Sequence, residues 1–393
     1  MTNIFAIVLL IVSTLLFISI FLSRFTSKIG VPTLLGFLGL GMLFGNGGAY
    51  DFYYDYPQQT YYIAQIALCI ILFNGGLNAS LNELKPIWRE GMMLSTLGVL
   101  ITTSLVALLA RWLLSFSWPE SFLLGAVISS TDAAAVFSIL ESKQLRLKEN
   151  TTQTLELESG TNDPMAYFLT ILFCSWIAQP QAISWGQLVW QFLYNMAAGA
   201  VVGVGVGFGG YDMVRTTKLK TGQAPFFVMS IVFMCFAATE LLQGNSFLAV
   251  YLAGIVLGNQ KYNMGYIANF FQGISWLMEI ILFVCLGLQL FVQDLIPYLW
   301  QGFGIGLWLL LVARPLSVLF CMAFFKSTWQ KKLFVAWVGL RGATPIVFAL
   351  IPVLLQIQTG RIIFDLAFCV VLMSIIIQGA TIEYIAKALR LNN

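Results

Sequence analysis

One stretch limits the possible folds more than any other: Leu155 to Thr170, LELESGTNDPMAYFLT. It reads as part of a membrane helix over 154–177, yet it carries Glu156, Glu158 and Asp163. An ionised carboxylate near the bilayer centre is costly unless it is partnered, so three in one segment exclude a lipid-facing anchor. Glu158 and Asn162 are four residues apart and stack on one helix face. Glu156 and Asp163 are seven apart and share another. Pro164 removes the amide that would bond the Gly160 carbonyl, which predicts a weak point beside Asp163. An acid, a polar face and an interrupted backbone at one depth mark a place where an ion meets the chain.

Composition says what surrounds that stretch. The 393 residues are 59% hydrophobic and 9% charged, against about 25% charged in soluble domains. The chain is therefore expected to be an all-α, multi-pass protein of the cell (inner or plasma) membrane. Its net charge of +3 gives no footprint for nucleic acid. It has no His, so the usual metal ligand and the usual group titrating near neutrality are both missing. Proton chemistry falls to a buried carboxylate. The six Cys (69, 174, 235, 285, 321 and 369) sit singly in apolar runs without a CxxC pair, so they read as small core residues. The N-terminal run lacks a basic region and a small-residue cleavage site and reads as a retained span. No soluble domain is expected before the end at Asn393.

Windows able to cross about 30 Å of hydrocarbon predict thirteen spans: 4–22, 30–47, 61–77, 91–114, 120–140, 154–177, 185–210, 222–241, 246–258, 267–291, 298–325, 331–354 and 362–386. Sixteen bases fall on one side of this arrangement. They are Arg24, Lys28, Lys85, Arg89, Lys143, Arg146, Lys148, Arg215, Lys218, Lys220, Lys261, Lys326, Lys331, Lys332, Lys387 and Arg390. That side is the cytoplasm. The opposite loops hold Asp51, Asp55 and Asp294. The N-terminus is thus expected outside and the C-terminus inside. Arg111 and Arg361 lie near outer span ends, whereas Arg314 and Arg341 lie within spans.

Span five carries Ser129, Ser130, Thr131 and Asp132 at its middle, and span twelve carries Gly339, Arg341, Gly342, Thr344 and Pro345. Ser and Thr side chains compete for backbone bonds, and Gly and Pro interrupt a helix. Both spans are candidates for discontinuous helices. They are an odd number of crossings apart and run in opposite directions, the mark of an inverted-repeat transporter with its site at midplane. Arg341 is suited to offset one broken end and Asp132 the other. The plain alternative, two kinked helices without a site, leaves these charges unexplained.

Arg314 needs a counter-charge, with Glu158 as a plausible partner and Arg341 competing for it. Glu240 reads as an interfacial acid. Glu279, in WLMEIILF, fits a place on the ion pathway or none. Gly205, Gly207 and Gly210 match GxGxxG by letter, but no strand precedes them. Close helix packing explains them better.

SSTDAAAVFSIL (129–140), LESGTNDPMAYFLT (157–170), ARPLSV (313–318) and VGLRGATPIVFAL (338–350) together resemble the monovalent cation/proton antiporters, in the NhaP and sodium/hydrogen exchanger branch. Within it the chain looks most like NhaP-type potassium(sodium)/proton antiporters. The resemblance covers essentially the whole chain. It implies a homodimer with a dimerisation domain (1–90 and 180–295) and a mobile core (91–179 and 296–393) that contains two crossed discontinuous helices. It implies that Asp163 binds the cation or the proton, with Asp132, Thr131 and Ser159 as further ligands of the monovalent cation. Asn162 stands where the electrogenic branch has an Asp, which implies electroneutral exchange. Glu158 is implied to pair with a core arginine. The resemblance also implies a cytosolic C-terminal regulatory region, which relatives of this type usually carry; its absence from this sequence means either that the chain is truncated or that its regulation differs.

The physics gives the same expectation. A proton or a K⁺ or Na⁺ ion neutralises Asp163, and either neutral state can pass an apolar barrier; the bare charge cannot. One cation then moves against one proton, provided that Glu158 stays ionised and Asp132 keeps one protonation state. No cofactor or enzymatic chemistry is called for. The main alternative is a sodium-coupled symporter for an organic solute, though no further polar cluster is seen in spans one to four or seven to ten. An intramembrane aspartyl protease lacks a GxGD segment, and a channel lacks a filter-like repeat.

Overall fold

The computed structural model describes residues 6, 9–10, 13–21, 33–50, 52–132, 136, 140, 145, 147–180, 185–217, 219–260 and 265–391. Every regular element among them is a helix. This follows from composition: in hydrocarbon the backbone must satisfy its own polar groups, and a helix does so within one segment. Arg24, Lys28, Asp51, Lys143, Arg146, Lys218 and Lys261 lie outside the described residues, as does most of the predicted second half of span five.

The first helix, α1, covers 13–21. It is followed by α2 (Thr33–Phe44), α3 (Pro57–Asn78), α4 (Trp88–Leu113), α5 (Trp118–Val127), α6 (Thr151–Ala178) and α7 (Trp185–Thr217). Then come α8 (Ala224–Leu241), α9 (Ser246–Gly258), α10 (Gly265–Gln289), α11 (Val292–Met322), α12 (Trp329–Trp337), α13 (Ala343–Leu354) and α14 (Gly360–Ala388). Seven of these, α3, α4, α7, α8, α10, α11 and α14, are long and apolar enough to cross a membrane. α2, α9 and α13 are apolar but shorter.

Local sequence sets the helix starts. Ser117 and Glu120 close a capping box on α5, with the Ser117 amide donating to Glu120 Oε2 at 2.8 Å. Asn245 caps α9 by accepting from the Leu248 amide at 3.0 Å. α7 runs to Thr217, beyond the expected 210, because a helix need not stop where hydrocarbon does. Pro164 does not break α6, which is continuous over 28 residues. One missing amide leaves the rest of the ladder intact, and the Pro164 carbonyl accepts from Asn245 Nδ2 at 2.9 Å. In α11 a π turn at Leu309–Ala313 precedes Arg314 and Pro315. It absorbs the register that Pro315 disrupts.

Two helix crossings depend on glycine. Between α3 and α9, a Cβ at Gly254 would lie 2.9 Å from the Leu77 nitrogen. Between α2 and α10, a Cβ at Gly41 would lie 2.8 Å from Gly287 Cα. Without a hydrophobic force between helices in lipid, such close contact supplies the attraction. Gly254→Val should therefore cost about 1–3 kcal/mol through overpacking. Thermal unfolding in detergent checks this, and an unchanged midpoint would refute it. The GVGVGFGG run of α7 behaves similarly. Gly203 and Gly207 face α9, whereas a Cβ at Gly205 would meet open space.

Candidate ion-binding site

The two interrupted segments touch at their breaks. α5 ends at Val127 and the chain continues without helix through Asp132, while residues 338–342 separate α12 from α13. The Asp132 amide donates to the Leu340 carbonyl at 2.8 Å. The carbonyls at the end of α5 lack helical partners and carry partial negative charge. Arg341, 1% exposed, meets them by donating from Nη1 to the Ser129 carbonyl and, at 2.5 Å, to the Ser130 carbonyl. At the other break the Asp132 carboxylate lies against Gly342, where any Cβ would overlap it. Gly342 precedes α13, so Asp132 faces a positive helix end. α14 bonds two further peptide groups: Ser374 Oγ accepts from the Arg341 amide at 2.8 Å, and Gln378 Nε2 donates to the Trp337 carbonyl at 2.5 Å.

Asp163 sits where these segments meet α6 and is 6% exposed. Ser130 Oγ donates to its Oδ1, and Thr344 Oγ1 donates to its Oδ2 at 3.3 Å. Each break thus lends one hydroxyl to one carboxylate. No salt bridge reaches Asp163 among the described residues. Ser159 Oγ donates to the Thr131 carbonyl at 2.7 Å, and Asn162 Nδ2 donates to Thr131 Oγ1 at 2.5 Å. Asn162 Oδ1 is buried without a partner among the described residues.

A cavity of about 440 Å³ ends here, lined by Asp163, Asp132, Ser159 and Thr344, with Glu156 and Glu279. Glu156, Ser159, Gly160 and Asp163 form one face of α6, as the spacing of Glu156 and Asp163 requires. Thr131 and Asn162 are bonded to each other behind this face and do not line the cavity.

The other acid of α6 points away. Glu158 and Arg314, 1% and 4% exposed, form a two-pronged ion pair, Nη1 to Oε1 and Nη2 to Oε2 at 2.9 Å. Arg314 Nη2 also donates to the Val335 carbonyl at 3.2 Å. The competing expectation, Arg341 as the partner of Glu158, is corrected: Arg341 is committed to the end of α5. Sequence reasoning singled out Ser130 and Thr344 as polar breaks but not as partners of Asp163. It did not single out Ser374, Gln378 or Tyr251. A cross-helix contact has no spacing rule, so only a polar group in an apolar run could have flagged them.

The family model of the transmembrane sodium/hydrogen exchanger matches residues 11–388. The chain belongs to the sodium/hydrogen exchanger family. Among exchanger relatives, the K⁺/H⁺ antiporter NhaP of Alkalimonas amylolytica is 38% identical over 384 residues, covering 98% of this chain and 67% of that protein. The K⁺/H⁺ antiporter NhaP2 of Shewanella baltica is 36% identical, covering 94% of this chain and 64% of that protein. This exchanger chain thus spans about two thirds of the length of those relatives. The Na⁺/H⁺ antiporter ApNhaP of Aphanothece halophytica is 25% identical, covering 94% of this chain and 71% of that protein. The solved structure of the sodium proton antiporter MjNhaP1 from Methanocaldococcus jannaschii shares the fold, with a TM-score of 0.83, 21% identity and 99% of both chains covered. The chain is an integral, multi-pass membrane protein of this family. The symporter reading finds no support among these relatives.

Proposed function

We propose that this chain exchanges a monovalent cation for a proton by alternating access, with both competing for Asp163. The observation that carries the reading is a buried carboxylate lining the cavity, held by one hydroxyl from each interrupted segment and, among the described residues, by no salt bridge. Such a group is neutralised only by what arrives through the cavity. Asp132 and Ser159 complete the cation's surroundings, and Thr131 and Asn162 set the position of Ser159 and the backbone beside it. Glu158 with Arg314, and Arg341 at the α5 end, hold the fold of the site without changing charge. K⁺ is favoured over Na⁺ by the names of the Alkalimonas and Shewanella relatives.

The architecture that goes with this reading has thirteen crossings, the N-terminus outside and the C-terminus in the cytoplasm. α1–α3 and α7–α10 form the dimerisation scaffold, and α4–α6 with α11–α14 form the mobile core of a homodimer. Packing of α3 on α9 and α10, and of α14 on α11 and α13, supports that division.

Reconstituted vesicles holding a pH-sensitive dye test the proposal. Adding K⁺ or Na⁺ should drive protons in the opposite sense, and no proton movement would overturn the exchange reading. One-for-one exchange moves no net charge, so clamping the membrane potential at opposite signs should leave the rate unchanged. A rate that follows the potential would overturn the stoichiometry.

A further inference from the structure

The cavity holds more carboxyl groups than a one-acid exchange cycle uses. Glu156 of α6 and Glu279 of α10 both line it, and neither has an ion pair or hydrogen bond among the described residues. No described Lys or Arg lines it either. Carboxyl groups set in such a place are neutralised by a proton or by a cation that enters.

A second observation is independent of the acids. Tyr251 of α9 is 2% exposed, lines the same cavity, and has a hydroxyl with no hydrogen-bond partner among the described residues. Its ring is pressed against Gly160, where a Cβ would strike it. Gly160 lies on the face of α6 between Glu156 and Asp163, so the hydroxyl oxygen is held along the route between them. A buried hydroxyl left unpaired is costly, and its lone pairs suit a cation or the water around one.

We infer that Glu279, with Glu156 and the Tyr251 hydroxyl, forms a second subsite for a partly hydrated monovalent cation between the cavity mouth and Asp163. The inference rests on the exchange reading. It adds a sidedness that Asp163 alone lacks. Glu279 stands on α10, which packs chiefly against α2 and α3 rather than with the segments that hold Asp163. If α6 carries the ion across, Glu279 stays behind. The subsite therefore sets cation affinity on the face to which this cavity opens, and it has no part at the opposite face.

The test compares right-side-out and inside-out vesicles over a range of K⁺ concentrations. Glu279→Gln should raise KM for K⁺ on the cavity face by about fivefold to tenfold, the effect of one charge acting at intermediate dielectric. Vmax and the opposite KM should stay as they were. Glu279→Asp, which keeps the charge but shortens its reach, should give a smaller rise on the same face, and it serves if the Gln variant fails to fold. An unchanged KM, an equal rise on both faces, or a fall in Vmax alone would overturn the subsite, the last two pointing to a structural or carrying role. Titration of K⁺ into the detergent-solubilised protein gives a readout apart from transport. Glu279→Gln should weaken that binding by a similar factor, and unchanged binding would overturn the subsite. A parent protein that binds K⁺ but moves no protons would instead defeat the exchange reading.

Discussion

Asp163→Asn abolishes cation-driven proton movement in reconstituted vesicles while leaving the protein folded. The amide keeps the size of the carboxyl group and can still bond Ser130 and Thr344, the two hydroxyls that hold Asp163. It can neither release a proton nor neutralise a cation, so neither half of the cycle remains. The effect should exceed that of any other single change in the cavity, because the other acids surround the route whereas Asp163 ends it. Asp163→Glu keeps the charge and should retain part of the rate. Exchange at parental rate by a folded Asp163→Asn protein would remove this residue from the mechanism.

The second large effect is on stability. Arg314→Ala leaves the Glu158 carboxyl group at 1% exposure with its partner gone. Breaking one side of a buried pair costs about 3–5 kcal/mol, much of it from the stranded charge. Glu158→Ala strands Arg314 and should cost a similar amount. The double change Glu158→Gln with Arg314→Met removes both charges at once and should recover most of the loss, since neutral replacement of a buried pair is often tolerated. Thermal unfolding in detergent would measure all three. Single variants as stable as the parent would show that the pair does not support the core, and a double variant no better than either single would show that the loss does not come from the stranded charge.

The same pair shows how far the chain could be read in advance. Five acids (Asp132, Glu156, Glu158, Asp163 and Glu279) and two arginines in apolar runs were legible as charges needing a reason, because hydrocarbon admits few without one. The face shared by Glu156 and Asp163 was legible from helical spacing. The choice between Arg314 and Arg341 as partner of Glu158 was not, because it depends on which way each side chain leaves its helix. The breaks were visible in Ser129–Asp132 and Gly339–Pro345, but their mutual bond from Asp132 to Leu340 was not. Pro164 misled in the other direction. It promised an interruption, yet a long packed helix tolerated one absent amide. Tyr251 gave no signal, since an aromatic residue in an apolar span is ordinary.

The bond between Asp132 and Leu340 also governs how such a chain can be made. Ribosomes deliver residue 132 long before residue 340, and Arg314 reaches the membrane 156 positions after the glutamate it neutralises. Until then the first half of the molecule sits in lipid with exposed carbonyls and an unanswered charge. The core can therefore close only as the last few segments arrive. Any truncation ahead of α13 should accordingly be cleared by the cell rather than persist as a partial transporter.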